Sequence, residues 1–72
     1  MPPVMHSVYS SHVREIGYDA EAHELLVTWD TGRTSAYEGV PADVAQEAQG
    51  SWSVGKFLTE AVKPHYRHRY VS

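Results

Sequence analysis

Along the first half of the chain apolar and polar side chains alternate with a period of two, and along the second half they recur with the period of a helix. In 12–19 (HVREIGYD), Ile16 and Tyr18 stand two apart, which predicts a strand ending near Asp19. Val13 falls out of phase with them, which predicts a bulge or a late strand start. The segment 20–24 (AEAHE) reads as a connecting turn. The clearest strand is 23–29 (HELLVTW): Leu25, Val27 and Trp29 share one face, with Leu26 and Thr28 opposite. Asp30-Thr31-Gly32 is a hairpin signal, with a glycine for the left-handed position, and 33–38 (RTSAYE) is the return strand.

Loop length decides the register of that hairpin. A two-residue loop would set Tyr37 beside Leu26. A three-residue loop pairs Leu25 with Tyr37 and Val27 with Ser35 and gathers the larger apolar groups on one face, so it is preferred.

From Gly39 onward the period changes. Segment 39–50 (GVPADVAQEAQG) predicts a short helix with Pro41 at its first position, Asp43 in its first turn and a thin stripe of Val44, Ala45 and Ala48, stopped at Gly50. Segment 51–63 (SWSVGKFLTEAVK) predicts a second helix, capped by Ser51 or Ser53, with Val54, Phe57, Leu58, Ala61 and Val62 on one face. Pro64 ends it and biases Lys63 toward extended geometry. The tail runs on as coil or a short strand. The expected fold class is α+β: a three-stranded antiparallel sheet followed by two helices packed on one face. Residues 1–7, with Pro2 and Pro3, are expected to be a flexible, frayed start, and residues 8–71 a single domain.

At this point a set of short motifs falls into order. Ser10-Ser11, "IGYD" (16–19), Leu25-x-Val27-x-Trp29, Gly32, "YEGVP" (37–41), Ser53-x-Gly55-Lys56-Phe57-Leu58 and Val62-Lys63 followed by Tyr66 resemble the KTSC domain in sequence and spacing. That family is named for a segment at the C-terminus of some lysyl-tRNA synthetases and also occurs as free-standing small proteins. The resemblance covers roughly residues 8–71. It implies a non-catalytic domain of unsettled function, read as RNA-binding. The family's central Tyr-x-Tyr aligns with Ser35-Ala36-Tyr37, so this chain lacks the first tyrosine, and it has Phe57-Leu58 where the family carries an aromatic pair.

Composition sets limits on these readings. Seventy-two residues make one small domain, with a stability of roughly 3–5 kcal/mol. The chain has no cysteine, which removes disulfides and thiolate zinc sites and is compatible with the cytoplasm. No apolar run reaches the ~18–20 residues of a membrane span, and the start is not expected to be a signal peptide. Charge is uneven beneath a net of −3: residues 1–50 carry two basic side chains against eight acids, and residues 51–72 carry Lys56, Lys63, Arg67 and Arg69 against Glu60. A chain polarised in this way can hold an anion at one end while its mean charge repels one.

Three groups of side chains invite a functional reading. Tyr37, with Tyr18, could stack on bases, or it could fill the core and send its hydroxyl to the rim. Ser53-Val54-Gly55-Lys56 could hold an anion at a helix start, or it could be a capped helix with a glycine for close packing. In the tail, Lys63, His65, Arg67 and Arg69 interleave with Tyr66, His68 and Tyr70. An extended tail would lay the aromatics on one side and point cations outward to a phosphate backbone, or it would be an edge strand guarded by charge. The candidate nucleic-acid contacts are therefore Tyr37, Ser53, Lys56, Lys63, Tyr66, Arg67 and Arg69. His65 and His68 are three apart, but Pro64 argues against helix there; neither a metal nor a cofactor is expected, and no serine stands in a nucleophile elbow. The expected role is a nucleic-acid-binding accessory module, with a protein-interaction adaptor as the alternative, acting as a monomer or weak dimer.

Overall fold

The computed structural model describes residues 4–71. Its strands are β1 (Met5–Ser7), β2 (Val13–Asp19), β3 (Glu24–Trp29), β4 (Thr34–Glu38) and β5 (His68–Tyr70). They form one antiparallel sheet in the order β1-β2-β3-β4-β5. Two helices lie in the connection between β4 and β5: α1 (Ala42–Gly50) and α2 (Val54–Phe57), the latter running into a π-helical turn, Leu58–Val62.

The sheet therefore has five strands and not three. The central meander follows the expected pattern. Leu25 pairs with Tyr37 and Val27 with Ser35 across a tight loop in which Gly32 has φ 93°. The bulge also occurs: Val13 pairs with Trp29 and Glu15 with Thr28, so Arg14 is the extra residue, and it returns Val13 to the buried face with Ile16. The two added strands are edges of three residues each. Met5–Ser7 lies within the segment expected to be a flexible start, and it docks on β2 where Gly17 leaves room. A Cβ at Gly17 would stand 2.6 Å from Met5 Sδ and 2.7 Å from the Val4 carbonyl oxygen. The expectation for Pro2 and Pro3 lies outside the described residues.

One sheet face carries the core. Val13, Ile16, Leu25, Val27 and Tyr37 meet Ala45 and Ala48 of α1 and Val54, Leu58 and Val62 of the second helical segment. Burying that many aliphatic groups, at about 1.5–3 kcal/mol for a full Val or Leu side chain, is what holds the helices to the sheet. Three local expectations are corrected. Pro41 is the N-cap of α1 and not its first helical residue. Ser53 holds the N-cap of α2 without a side-chain capping bond, and Ser51 Oγ instead accepts from the Ser53 N–H at 3.2 Å. Lys63 is helical, at φ −54° and ψ −45°, because its N–H closes the widened turn on the Leu58 carbonyl at 2.7 Å; Pro64, with no N–H, stops the next rung.

Candidate ligand pocket at the β4–β5 edge

Alternation along β5 sorts its side chains between the two faces. His68 pairs with Tyr37 and Tyr70 with Ser35, so both rings lie on the helix-covered face, beyond the reach of the helices. Arg69 pairs with Ala36 and lies on the open face. There its guanidinium bonds Glu24 through two nitrogens, at 2.5 and 3.1 Å, and Glu38 at 3.2 Å. Glu24 and Glu38 are direct cross-strand partners, an arrangement of like charges that destabilises a ladder unless something neutralises it. Arg69 does so, and the two carboxylates raise its already high pKa further, through hydrogen bonding to Glu24 first and then to Glu38.

On the other face a cavity of about 380 Å³ opens beside β5. Trp29 forms one wall and is held there because its indole N–H donates to the buried Ser35 Oγ at 2.9 Å. The Lys63 ammonium stands over that indole, 4.7 Å from the ring centroid. Across the cavity the Arg33 guanidinium lies 4.2 Å from the centroid of Tyr70. His68 stacks edge-on against Tyr70 and tilts against Tyr37, with centroids 5.5 and 5.4 Å away. Asp30 brings one acid to the rim and ion-pairs there with His12 at 3.9 Å when that histidine is protonated. A cation resting on a ring keeps its charge, because the ring quadrupole orients it without neutralising it. The pocket thus combines aromatic faces with two cations in a space at the lower end of the usual range for small-molecule sites.

The seven residues expected to bind nucleic acid do not form one patch. Lys63 is in the pocket. Tyr37 is 1% exposed, its ring belongs to the core, and burial, with Tyr70 nearby, raises its phenol above the usual value; only its edge reaches the cavity. Tyr66 packs partly buried against the core, and Arg67 is exposed just ahead of β5, where its carbonyl accepts from the Glu38 N–H. Arg69 is committed to two carboxylates on the opposite face. Ser53 and Lys56 line a separate groove near the start of α2. The C-terminal cations therefore scatter, because strand alternation and helix geometry send them in different directions. The sequence reading overlooked Trp29 and Arg33 as site residues. They flank the three-residue loop, where the Trp29 N–H donates to the Arg33 carbonyl, so the predicted hairpin already placed them together. Among the described residues no group of three or more metal-ligating side chains gathers, and no helix is long and apolar enough to cross a membrane.

Comparison with known proteins agrees with this fold. The chain is 36% identical over 63 residues to an uncharacterised protein of Stutzerimonas stutzeri, covering 86% of this chain and 89% of that one. It is 33% identical over 63 residues to a protein of Tsukamurella paurometabola, covering 88% and 94%. The crystal structure of a KTSC domain protein from Yersinia pestis superposes with a TM-score of 0.90 at 28% identity, over 99% of this chain and all of the other. The KTSC domain family model matches residues 9–66, and with these relatives it establishes that the chain belongs to the KTSC domain family.

Proposed function

We propose that this KTSC-domain protein is a binding module that takes an unpaired nucleotide of a single-stranded nucleic acid into the pocket beside β5. The observation that carries the reading is the pairing of two cations with two aromatic walls: Lys63 over Trp29 and Arg33 over Tyr70. A base offers a π-face to such walls, and each stacked base contributes about 1–3 kcal/mol. A phosphate finds two positive groups within the same cavity. With so few cations and a net charge of −3, binding is weak and falls with salt, with a log–log slope near −0.7 for each phosphate neutralised.

The test is a titration with short single-stranded RNA and DNA at about 20 mM and about 200 mM salt. It follows the fluorescence of Trp29 in a Trp52→Phe background, which leaves one indole. Saturable quenching that weakens with salt and is lost in Lys63→Ala with Arg33→Ala supports the reading. The same double change is not expected to unfold the chain, because both side chains lie over rings at the surface of the cavity. No quenching with any oligonucleotide at low salt overturns it.

A further inference from the structure

At the far end of the second helical segment, two aromatic rings are left bare. Tyr9 is 102% exposed and Trp52 is 97% exposed. A chain of this size has few large apolar side chains, and the core has drawn in Tyr37, Ile16 and Leu25. Tyr9 and Trp52 line one groove of about 410 Å³ together with Ser10, Ser53, Gly55 and Thr59. Trp52 also borders an adjoining groove of about 310 Å³. At 97% exposure the indole is open to solvent between them.

The lining of the first groove is hydroxyl-rich. Ser53 occupies a cap position without making the capping bond. Ser10 Oγ accepts from the His12 and Val13 N–H groups at 3.4 Å, which leaves its proton to give. Thr59 Oγ1 donates to the Gly55 carbonyl at 2.9 Å and retains its lone pairs. Gly55 leaves room beside Ser10: a Cβ there would stand 3.1 Å from Ser10 Oγ. Lys56 and Glu60, one helical turn apart on the same groove, balance each other in charge. His12, also in the lining, has Asp30 3.9 Å away, so the groove lacks the two ring-held cations of the pocket beside β5.

We infer that this groove is a second, separate binding site, for a neutral oligosaccharide chain. A pyranose ring has an apolar face of C–H groups and a rim of hydroxyls. The face matches a bare indole or phenol, which is itself amphipathic, and the rim matches serine and threonine hydroxyls that both donate and accept. Two adjoining grooves that share an exposed Trp52 suit a length of sugar chain rather than a single ring.

The test uses soluble tetrasaccharides of β-linked glucose, β-linked N-acetylglucosamine, α-linked glucose and mannose, each titrated to about 10 mM into the isotope-labelled protein, a range that detects dissociation constants near 1 mM. The expected result is saturable shifts of the Tyr9, Ser10, Trp52 and Ser53 resonances with at least one of them. Trp52→Ala should weaken that binding at least tenfold, while Lys63→Ala leaves it unchanged. Both side chains are exposed, so the fold is retained and the amide spectrum verifies it. No shift with any of the four, shifts at this groove only with an oligonucleotide or a peptide, or sugar binding that survives Trp52→Ala combined with Tyr9→Ala would each overturn the inference.

Discussion

Arg69 grips Glu24, forty-five residues earlier in the chain, through two guanidinium nitrogens, and the same side chain reaches Glu38. This contact crosses three strands and ties the last of them to the sheet. Its fork geometry matches a carboxylate in a way that a lysine ammonium cannot. Arg69→Lys should therefore behave nearly as Arg69→Ala. Both should lower the thermal midpoint and raise amide exchange at Val71, whose N–H donates to the Thr34 carbonyl. The loss should shrink at about 0.5 M salt, where the wild-type pair is screened. Arg69→Ala should leave oligonucleotide binding at the β5 pocket intact, which separates this arginine from Arg33 and Lys63.

Trp29 and Ser35 form the second contact that carries consequences. Ser35 is 1% exposed, and its hydroxyl accepts from the indole N–H. Trp29→Phe leaves that buried hydroxyl without its donor and should cost about 1–3 kcal/mol. Ser35→Ala removes the acceptor while the half-buried indole can still turn toward water, so it should cost less. In a double-mutant cycle by chemical denaturation, Trp29→Phe with Ser35→Ala should be less damaging than the sum of the single changes.

The docking of β1 depends on an absent side chain. Gly17→Ala puts a Cβ at 2.7 Å from the Val4 carbonyl oxygen, and backbone cannot yield as a flexible side chain does. The substitution should cost about 1–3 kcal/mol, as overpacking does. Hydrogen exchange should show the loss at β1 and at the Val8 N–H, which donates to the Arg14 carbonyl, while the β3–β4 hairpin keeps its protection.

Alkaline stability should report on two tyrosine phenols. Burial, then the neighbouring Tyr70, raises Tyr37 above the ordinary tyrosine value; burial, then Asp43 and Asp19, raises Tyr18, whose hydroxyl donates to the Val40 carbonyl at 2.6 Å. In the unfolded chain both ionise near pH 10, while in the folded chain each ionises at a higher pH. Their contribution is complete below about pH 10 and is lost as pH rises from there through the folded values, with Tyr37, which is 1% exposed, carrying more of it than the half-buried Tyr18. Tyr37→Phe should flatten the alkaline limb of a stability–pH curve measured by urea denaturation and leave the neutral region nearly unchanged.

The meander was legible because its signals are local. The length of the Asp30-Thr31-Gly32 loop and the Leu25-x-Val27-x-Trp29 alternation set the register, and the phase break at Val13 marked the bulge. The edge strands gave weaker signals: β5 was expected only as one of two readings of the tail, coil or a short strand, and β1 not at all. His68, Arg69 and Tyr70 are all exposed, so no buried face imposes a period on them, and β1 is placed by the space over Gly17. Of the expected contacts, only Tyr37 and Lys63 line the pocket beside β5. His68 and Tyr70 stood in the tail as interleaved aromatics but not as expected contacts, and only the folded chain carries Lys63 to Trp29 and Tyr70 to Arg33. The same folding explains why the cations disperse: Arg69, on β5, turns to Glu24 and Glu38, Lys63 reaches Trp29, and Lys56, about two turns earlier, lines a separate groove.

Strand order that follows chain order has a kinetic consequence. Each pair from β1 to β4 closes over a short turn, at a small cost in chain entropy. The β4–β5 pair closes over residues 39–67 and gains nothing until both helices have settled. The meander is thus expected to form first, and β5 to seat last and detach first, an order that hydrogen exchange at Tyr70 and Val71 against that at Leu25 and Val27 would check. Since Tyr70 and His68 ride on that strand, the pocket beside Trp29 assembles last, and a ligand that occupies it would slow the first step of unfolding.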